Sequence, residues 1–518
     1  MTRLPLLISI LMLIIIFAGC GSSDDSGSVT LVITGLANGN LIPFKSKSGP
    51  LKGQQAGGLA QRNSKIESLI AQGDISQNAV FLDVGDNISG TPEAFYTRGK
   101  CIVDLMNHSP ITAMLLGNRE FDYGQEILKM RSKDSRFLFL ASNIRNRNGG
   151  VPEYLKANMF KEVDGLKLAV LAITPSNTPE VTNPKNVENL IFLQGAQVLS
   201  EAVGNMRSQG ADIVMCLSQN NLSKDGFKRI SDLCVPGLDL LAVITLDDTE
   251  LEVTQINETS IIPIYRRNMG SQINIVKVVP KADQNRLRVE MKTVFVDSAS
   301  SRPRAEQARM VVDITRKIDS IMDEVIGEAQ TGLSNDYMNE SPIGNLITDV
   351  MRETAGCDLA FQNSGGIQSA LKAGSVRLRD IFKVLPFDNE VVTMKLKGVA
   401  IRSILEHASQ RRYGVMQISG GSYTLKPAAE SHVLESVSVG GEPLDDEKVY
   451  TVATNSFLAN CGDGYKGFES AVDPVIMEGL REMLVNSIRE KVRFTASVSG
   501  RINLIEGSES KIESSGDK

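Results

Sequence analysis

From about residue 29 to residue 280 the chain keeps switching its hydrophobic period, and this constrains its fold more than any other feature. Short, branched apolar runs at 29–34, 79–84, 137–141, 166–173, 213–218 and 238–244 are bounded by turn residues and read as strands. Between them, segments such as 58–71 and 193–209 repeat apolar residues at helical spacing. That alternation predicts an α/β architecture whose strands are covered on both faces. Ligand sites in such folds lie at the carboxyl ends of the strands, so the residues just after each run are the candidates for function.

The pattern changes over residues 301–329. Ala305-Glu306-Gln307-Ala308-Arg309 through Ile326 predicts one long charged helix with an apolar stripe, which reads as a linker between 29–300 and a second domain at 330–505. The second segment has a helical pattern at 343–354 and strand patterns at 390–396 and 448–454, and the polar tail 506–518 is expected to fray. No internal repeat is visible. With 55 basic and 61 acidic residues the net charge is −6, which excludes a nucleic-acid polymer as the main partner because that binding needs a basic field. Histidine is scarce: His108, His407 and His432 are the three in the chain. Imidazole is the commonest side-chain ligand of catalytic transition metals, so a multi-histidine centre is excluded from the first 400 residues. His108 precedes a strand rather than following one and reads as a surface residue.

Residues 1–19 read as a signal peptide: Met1-Thr2-Arg3 gives a basic start, and the apolar run 4–18 is too short to cross a bilayer. Phe17-Ala18-Gly19-Cys20 resembles a bacterial lipobox, although Phe17 stands where Leu is usual. The resemblance implies cleavage before Cys20, acylation of that residue, and a Gly/Ser/Asp tether over 20–28. More than one acyl chain gives stable anchoring where a single chain does not. The expectation is therefore an exported protein, lipid-anchored in the bacterial cell envelope at the outer membrane or cell surface. A secreted protein with an incidental Cys20 stays open. The remaining Cys101, Cys216, Cys234, Cys357 and Cys461 are odd in number, lack CxxC spacing and lie in apolar surroundings. They read as buried thiols rather than a disulfide framework.

Several strand-end segments stand out together. In the first domain they are Thr34-Gly35-Leu36-Ala37-Asn38-Gly39, Gly57-Gly58-Leu59-Ala60-Gln61-Arg62, Leu82-Asp83-Val84-Gly85-Asp86-Asn87 and Gly117-Asn118-Arg119-Glu120-Phe121-Asp122. In the second they are Glu340 with Ile343-Gly344-Asn345, Asn363-Ser364-Gly365-Gly366-Ile367-Gln368, Leu385-Pro386-Phe387-Asp388-Asn389, Gln417-Ile418-Ser419-Gly420, and Asn455-Ser456-Phe457 with Gly462-Asp463-Gly464-Tyr465. Their order and spacing over about 29–505 resemble the bacterial 5'-nucleotidase family. The resemblance implies an α/β sandwich of metallophosphoesterase type, joined by the linker helix to an α+β 5'-nucleotidase carboxy-terminal domain.

The same resemblance implies two divalent metal ions in the first domain and hydrolysis of phosphate esters, two cations together stabilising the attacking and leaving oxygens. Residue by residue, this chain departs from that pattern. Leu36 and Asn38 stand where Asp and His are expected, Gln219 where His is expected, and Thr245 and Asp247 where two more histidines are expected. Asp86 and Asn118 keep the expected type, and Asp247 is a conceivable third ligand. Arg119 replaces the catalytic His, while its partner Asp122 is present. At most one metal is therefore expected. Asp86, Asn118 and Asp122 are also explained by loop and turn stabilisation alone.

In the second domain the resemblance assigns Asn363, Phe457 and Asp463 to a nucleotide ligand. The opposing ring is lost to Val415, and the two expected arginines to Gln368 and Asn339. Stacking on Phe457 competes with core packing as its role, and Tyr413 or Tyr423 is a candidate for the missing face. Without the arginines, nucleosides are expected to bind as well as nucleotides. Two readings follow: a pseudoenzyme holding a nucleoside-like ligand or a partner, and an active metal-dependent phosphohydrolase on nucleotides with a reduced metal site.

Overall fold

A computed structural model describes residues 27–47, 49–222, 226–245, 252–280, 287–428 and 431–505. Cys20 and the leader, Asp247, and the tail from 506 lie outside the described residues.

The amino-terminal part is two six-stranded sheets packed face to face. In the first, Val29–Thr34, Val80–Asp83, Ile111–Leu115 and Leu138–Leu140 run parallel, and Gln272–Pro280 and Leu287–Phe295 extend it antiparallel beside Val29–Thr34. In the second, Leu166–Ile173, Ile213–Leu222, Leu240–Thr245 and Thr259–Tyr265 run parallel between two antiparallel edge strands. Leu31, Ile33, Leu82 and Leu115 of one sheet meet Val170, Leu217, Ala242 and Ile262 of the other in one buried cluster. Alternate residues of the same strands turn outward, under helices such as Leu59–Ala71 and Gly195–Ser208. This is why the strands read as continuous apolar runs: each has two buried faces.

The carboxy-terminal part is built on the five-stranded sheet Met416–Ser419, Leu359–Asn363, Val449–Asn455, Glu390–Lys397 and Val472–Gly479, in that order. Helices Pro342–Ala355 and Leu480–Lys491 cover one face and Gly398–Ser409 the other. The fold is thus the expected sandwich followed by an α+β domain. Cys101, Cys216, Cys234 and Cys357 are buried free thiols, and Cys461 is a half-buried one.

The helix after the sandwich differs in length from its periodicity. It spans Ala305–Met322, and Val325–Ala329, expected as its last turn, is instead a strand pairing with Gly374–Arg377. Gly327 explains part of this: a Cβ there would lie 2.6 Å from the Ile488 side chain, so the backbone is pressed against the Leu480–Lys491 helix. Arg379 ties the helix to the carboxy-terminal part through Asp319 (2.6 Å) and Asp323 (2.8 Å), and Arg304 ties it to Glu67 of the sandwich (2.7 Å).

A second tie closes one side of the groove between the parts. The Arg481 guanidinium is centred 4.4 Å from the Phe95 ring and 4.0 Å from the Phe382 ring, and it donates to the Leu385 and Phe387 carbonyls. Phe95 belongs to the sandwich; Phe382 and Arg481 do not. A buried cation set against two touching rings, with backbone acceptors, holds the two parts in register.

Candidate functional site

The loops after the parallel strands of the first sheet converge on one place. The loop after Val29–Thr34 is zipped to the loop after Val80–Asp83: Leu36 N donates to Gly85 O, Asn38 N to Asp86 O, and Gly39 N to Asn87 O, each at 2.8 Å. Leu36, Asn38 and Asp86 all adopt left-handed backbone, which non-glycine residues hold only where the surroundings over-determine it. Gly85 is required where it stands, since a Cβ would lie 2.3 Å from Leu115 O.

Glu120 organises this junction. Its fully buried carboxylate accepts from Asp86 N (2.9 Å), Asn87 N (2.7 Å) and Gly117 N (2.8 Å). Burial, and then the neighbouring Asp86 charge, push its pKa up against these three donors. Glu120 was not singled out from the sequence.

Several of the positions that the resemblance assigns to metal ligands are occupied by side chains with other commitments. Leu36 is 1% exposed and contributes hydrocarbon only. Asn38 donates its amide to Leu36 O at 2.8 Å. Gln219 donates to Val84 O at 2.8 Å, and Thr245 is buried. Asp86 and Gln219 crowd the same spot: a Cβ on Gly117 would lie 2.1 Å from Asp86 Oδ1 and 2.4 Å from the Gln219 amide nitrogen. Among the described residues, no three His, Cys, Asp or Glu side chains are placed to hold a metal ion. One carboxylate with neutral amides and a leucine does not fit a pair of divalent cations.

The structure places Asp86 below the surface of the groove, 3% exposed, with Oδ1 accepting from Arg119 N (3.3 Å). Asn118, Arg119 and Asp122, by contrast, line a cavity of about 260 Å³ between the two parts. Asp122 accepts from the Ser89 hydroxyl (2.5 Å), and burial, opposed by Arg119, lifts its pKa to about 6. His108 sits in a turn away from this cavity.

The facing wall comes from the carboxy-terminal part, and Asn363, Phe457 and Asp463 all line it. A chain of amides orders them. Asn455 donates to Asn363 Oδ1 (3.1 Å), and Asn363 donates to Asp463 Oδ2 (3.2 Å). Asp463 has left-handed backbone (φ 55°), and its carbonyl contacts His407 Nε2 at 2.9 Å. Burial raises its carboxyl pKa to about 6, with the Asn363 hydrogen bond opposing. Asn455 also caps the short helix Ser456–Ala459 by accepting from Leu458 N (2.9 Å), which fixes Phe457 at the cavity. Phe457 packs on the core with one part of its ring and lines the cavity with another. Its two candidate roles are therefore compatible.

Of the two tyrosines considered for the missing face, Tyr413 lines the cavity. Tyr423 does not: it is 1% exposed and donates to Met416 O inside the core. Val415 is fully buried. A further ring, Tyr337, lines the same cavity at 46% exposure and had no motif to point to it. Gln368 and Asn339 are bound to their own loops, through Gly365 O and Asp336, and contribute nothing to the lining. Glu340 ties down the last strand by accepting from Ser499 N and Arg501 N.

Comparison with known proteins agrees with this geometry. The family model for the 5'-nucleotidase C-terminal domain matches residues 324–470. Over 488 residues the chain is 26% identical to the 5'-nucleotidase of Diplobatis ommata, covering 84% of this chain and 83% of that one. Residues 324–470 thus form a 5'-nucleotidase C-terminal domain, and the chain is similar to 5'-nucleotidases over most of its length. It is also 24% identical over 460 residues to Endonuclease YhcR of Bacillus subtilis, with 84% of this chain covered but only 37% of that protein's length. Among solved structures, the 5'-nucleotidase precursor of Thermus thermophilus superposes with a TM-score of 0.76 at 24% identity, over 93% of this chain and 100% of the other. That likeness concerns the fold. Within the family frame, the cavity lies between the sandwich and the 5'-nucleotidase domain, with the altered ligand positions at its base.

Proposed function

We propose that this chain is a nucleoside-binding member of the family in which dimetal hydrolysis is lost, held in the bacterial envelope by a lipid on Cys20. The reading is supported chiefly by one contrast. Asn38 and Gln219, which replace implied imidazole ligands, are hydrogen-bonded to the protein itself at Leu36 O and Val84 O, whereas Asn118, Phe457 and Asp463 face an open cavity. An aromatic face gives a flat ring something to stack on, and the Asp463 carboxylate accepts from a sugar hydroxyl. On this reading the residues present supply no step of phosphate-ester cleavage.

The test is metal content and turnover on purified protein. Essentially no bound transition metal is expected. Added manganese, zinc or cobalt is expected to release no phosphate from AMP or an aryl phosphate beyond background. Metal-dependent turnover that disappears in Asp86→Ala would replace this reading with that of a phosphohydrolase carrying one metal on Asp86, Asn118 and Asp247. For location, Cys20→Ser is expected to release the protein from membranes on fractionation, and normal retention of that variant would refute the anchor.

A further inference from the structure

The charged groups that line the cavity are divided between its walls. Both lining cations, Arg119 and Arg266, belong to the amino-terminal part. The carboxy-terminal wall contributes the carboxyls of Asp388 and Asp463 and the rings of Tyr337, Tyr413 and Phe457, and among the described residues it contributes no basic side chain. The two arginines that the resemblance implies there are the amides Asn339 and Gln368, which turn to their own loops. This wall therefore presents negative charge and the electron-rich faces of rings to whatever lies against it.

Asp463 is the centre of the arrangement. Its Oδ2 accepts from Asn363 (3.2 Å), and among the described residues its Oδ1 takes no hydrogen bond and the carboxylate forms no ion pair. The basic residues just before Tyr413 are engaged elsewhere: Arg411 donates to Met338 O (2.6 Å), and Arg412 lies over the Tyr413 ring, 5.3 Å from its centroid. His407 meets the backbone carbonyl of Asp463 and not its carboxylate. Burial accordingly raises the Asp463 pKa, the response of a carboxylate short of a countercharge. Two rings stand close by. Phe457 packs against the residue before Asp463, since a Cβ on Gly462 would lie 2.5 Å from its ring. A Cβ on Gly365 would lie 3.6 Å from Asn363 Nδ2 and 3.9 Å from Tyr337 Cε2, which sets the edge of the Tyr337 ring near the amide that holds Asp463. Unlike Tyr413, Tyr337 has no ring or cation against it among the described residues, and it is 46% exposed.

We infer that this wall selects a positively charged ring, so that the preferred ligand of the cleft is a cationic nucleoside, one whose base carries a fixed charge through alkylation of a ring nitrogen. The inference rests on reading the cavity as a nucleoside site. A cationic ring stacks on Phe457 and Tyr337 as a neutral one does, and adds electrostatic attraction to the faces of both, which is stronger where water is excluded. Asp463 then serves twice: Oδ1 accepts from a sugar hydroxyl, and the carboxylate charge offsets that of the ring across a short distance. The cavity, at about 260 Å³, is near the lower end of ligand pockets, which run from roughly 300 Å³ upward. That suits one ring and one sugar.

Calorimetry at pH 7 with adenosine, 1-methyladenosine and N6-methyladenosine tests it, on wild type, Asp463→Asn and Tyr337→Ala. The ring of 1-methyladenosine is positively charged at that pH, whereas N6-methyladenosine is its neutral isomer and controls for the added methyl group. Wild type is expected to prefer 1-methyladenosine over both neutral ligands by about tenfold, the scale of a desolvated cation–π contact. Asp463→Asn keeps the shape of the side chain and suits the left-handed backbone at 463, and it should remove most of the preference. Tyr337→Ala should weaken 1-methyladenosine more than adenosine. Adenosine binding with no gain for 1-methyladenosine overturns the inference and leaves the nucleoside reading standing, whereas absence of binding by all three overturns both. A preference undiminished in a folded Asp463→Asn also overturns the inference.

Discussion

On the amino-terminal wall of the cleft, two of the side chains that replace implied imidazole ligands close on nearby backbone carbonyls, whereas on the carboxy-terminal wall a network of amides ends in a carboxylate at the cavity. Asn38 closes on Leu36 O and Gln219 on Val84 O, and Glu120 gathers three backbone amides below the surface. Across the cavity, the chain Asn455–Asn363–Asp463 delivers its last carboxylate to the lining beside Phe457. The difference teaches that a loop can keep its path without keeping its chemistry. Backbone bonds such as Leu36 N to Gly85 O hold the same turns whether or not a ligand side chain follows.

The largest effect should come from cutting the hub of the first wall. Glu120→Ala strands the amides of Asp86, Asn87 and Gly117 in a buried place, and unmade buried hydrogen bonds cost about 1–3 kcal/mol each. A loss of about 4 kcal/mol in denaturant unfolding is expected. Asn455→Ala, at the corresponding place in the second wall, removes one helix cap and two side-chain bonds and should cost about 2 kcal/mol. Equal costs would mean that the two walls are built with the same redundancy.

Next in size is ligand affinity. Tyr337→Ala and Phe457→Ala should each weaken adenosine by roughly 5- to 150-fold, the range of one aromatic stack at ~1–3 kcal/mol. Tyr423→Phe, which loses only its bond to Met416 O, should leave affinity unchanged and cost about 1 kcal/mol of stability. Adenosine affinity that is insensitive to Tyr337 but lost with Tyr413 would assign the second face to the other tyrosine.

The legibility of the two regions in sequence follows the same contrast. Strands with two buried faces, such as Leu166–Ile173, announce themselves as apolar runs, and that pattern carried the fold. Ile111–Leu115 was legible only through its flanks, as the strand after His108 that ends at Gly117-Asn118, because Thr112 and the small Ala113 dilute its apolar run. Within the site, motif order pointed to Asn363, Phe457 and Asp463, although Asn363 lies 100 residues before Asp463. Tyr337 and Arg266 come to the cavity from segments with no periodicity or motif, and only tertiary folding brings them there. Glu120 escaped notice for a related reason: its partners, Asp86 and Asn87, are more than 30 residues away.

The smallest expected effect separates the walls by pH. Asp463 has its carboxyl pKa raised to about 6 by burial, so the folded protein takes up a proton more readily than the unfolded chain, whose Asp titrates near 3.8. The sign for stability follows. This group favours the folded state at pH below 3.8, and that contribution is lost as pH rises toward 6. Ligand binding runs the other way, because only the ionised carboxylate accepts freely from a sugar hydroxyl. Adenosine affinity should therefore fall a few-fold as pH drops from about 7 to about 5, the step belonging to a single hydrogen bond. Asp122, lifted to about 6 on the opposite wall beside Arg119 and Ser89, titrates in the same window, but an uncharged ligand stacked on Phe457 makes no use of it. Asp463→Asn should flatten the profile and Asp122→Asn should leave it in place. If instead Asp122→Asn flattens it, the sugar lies against the amino-terminal wall, and the division of labour between the two walls is the reverse of the one argued here.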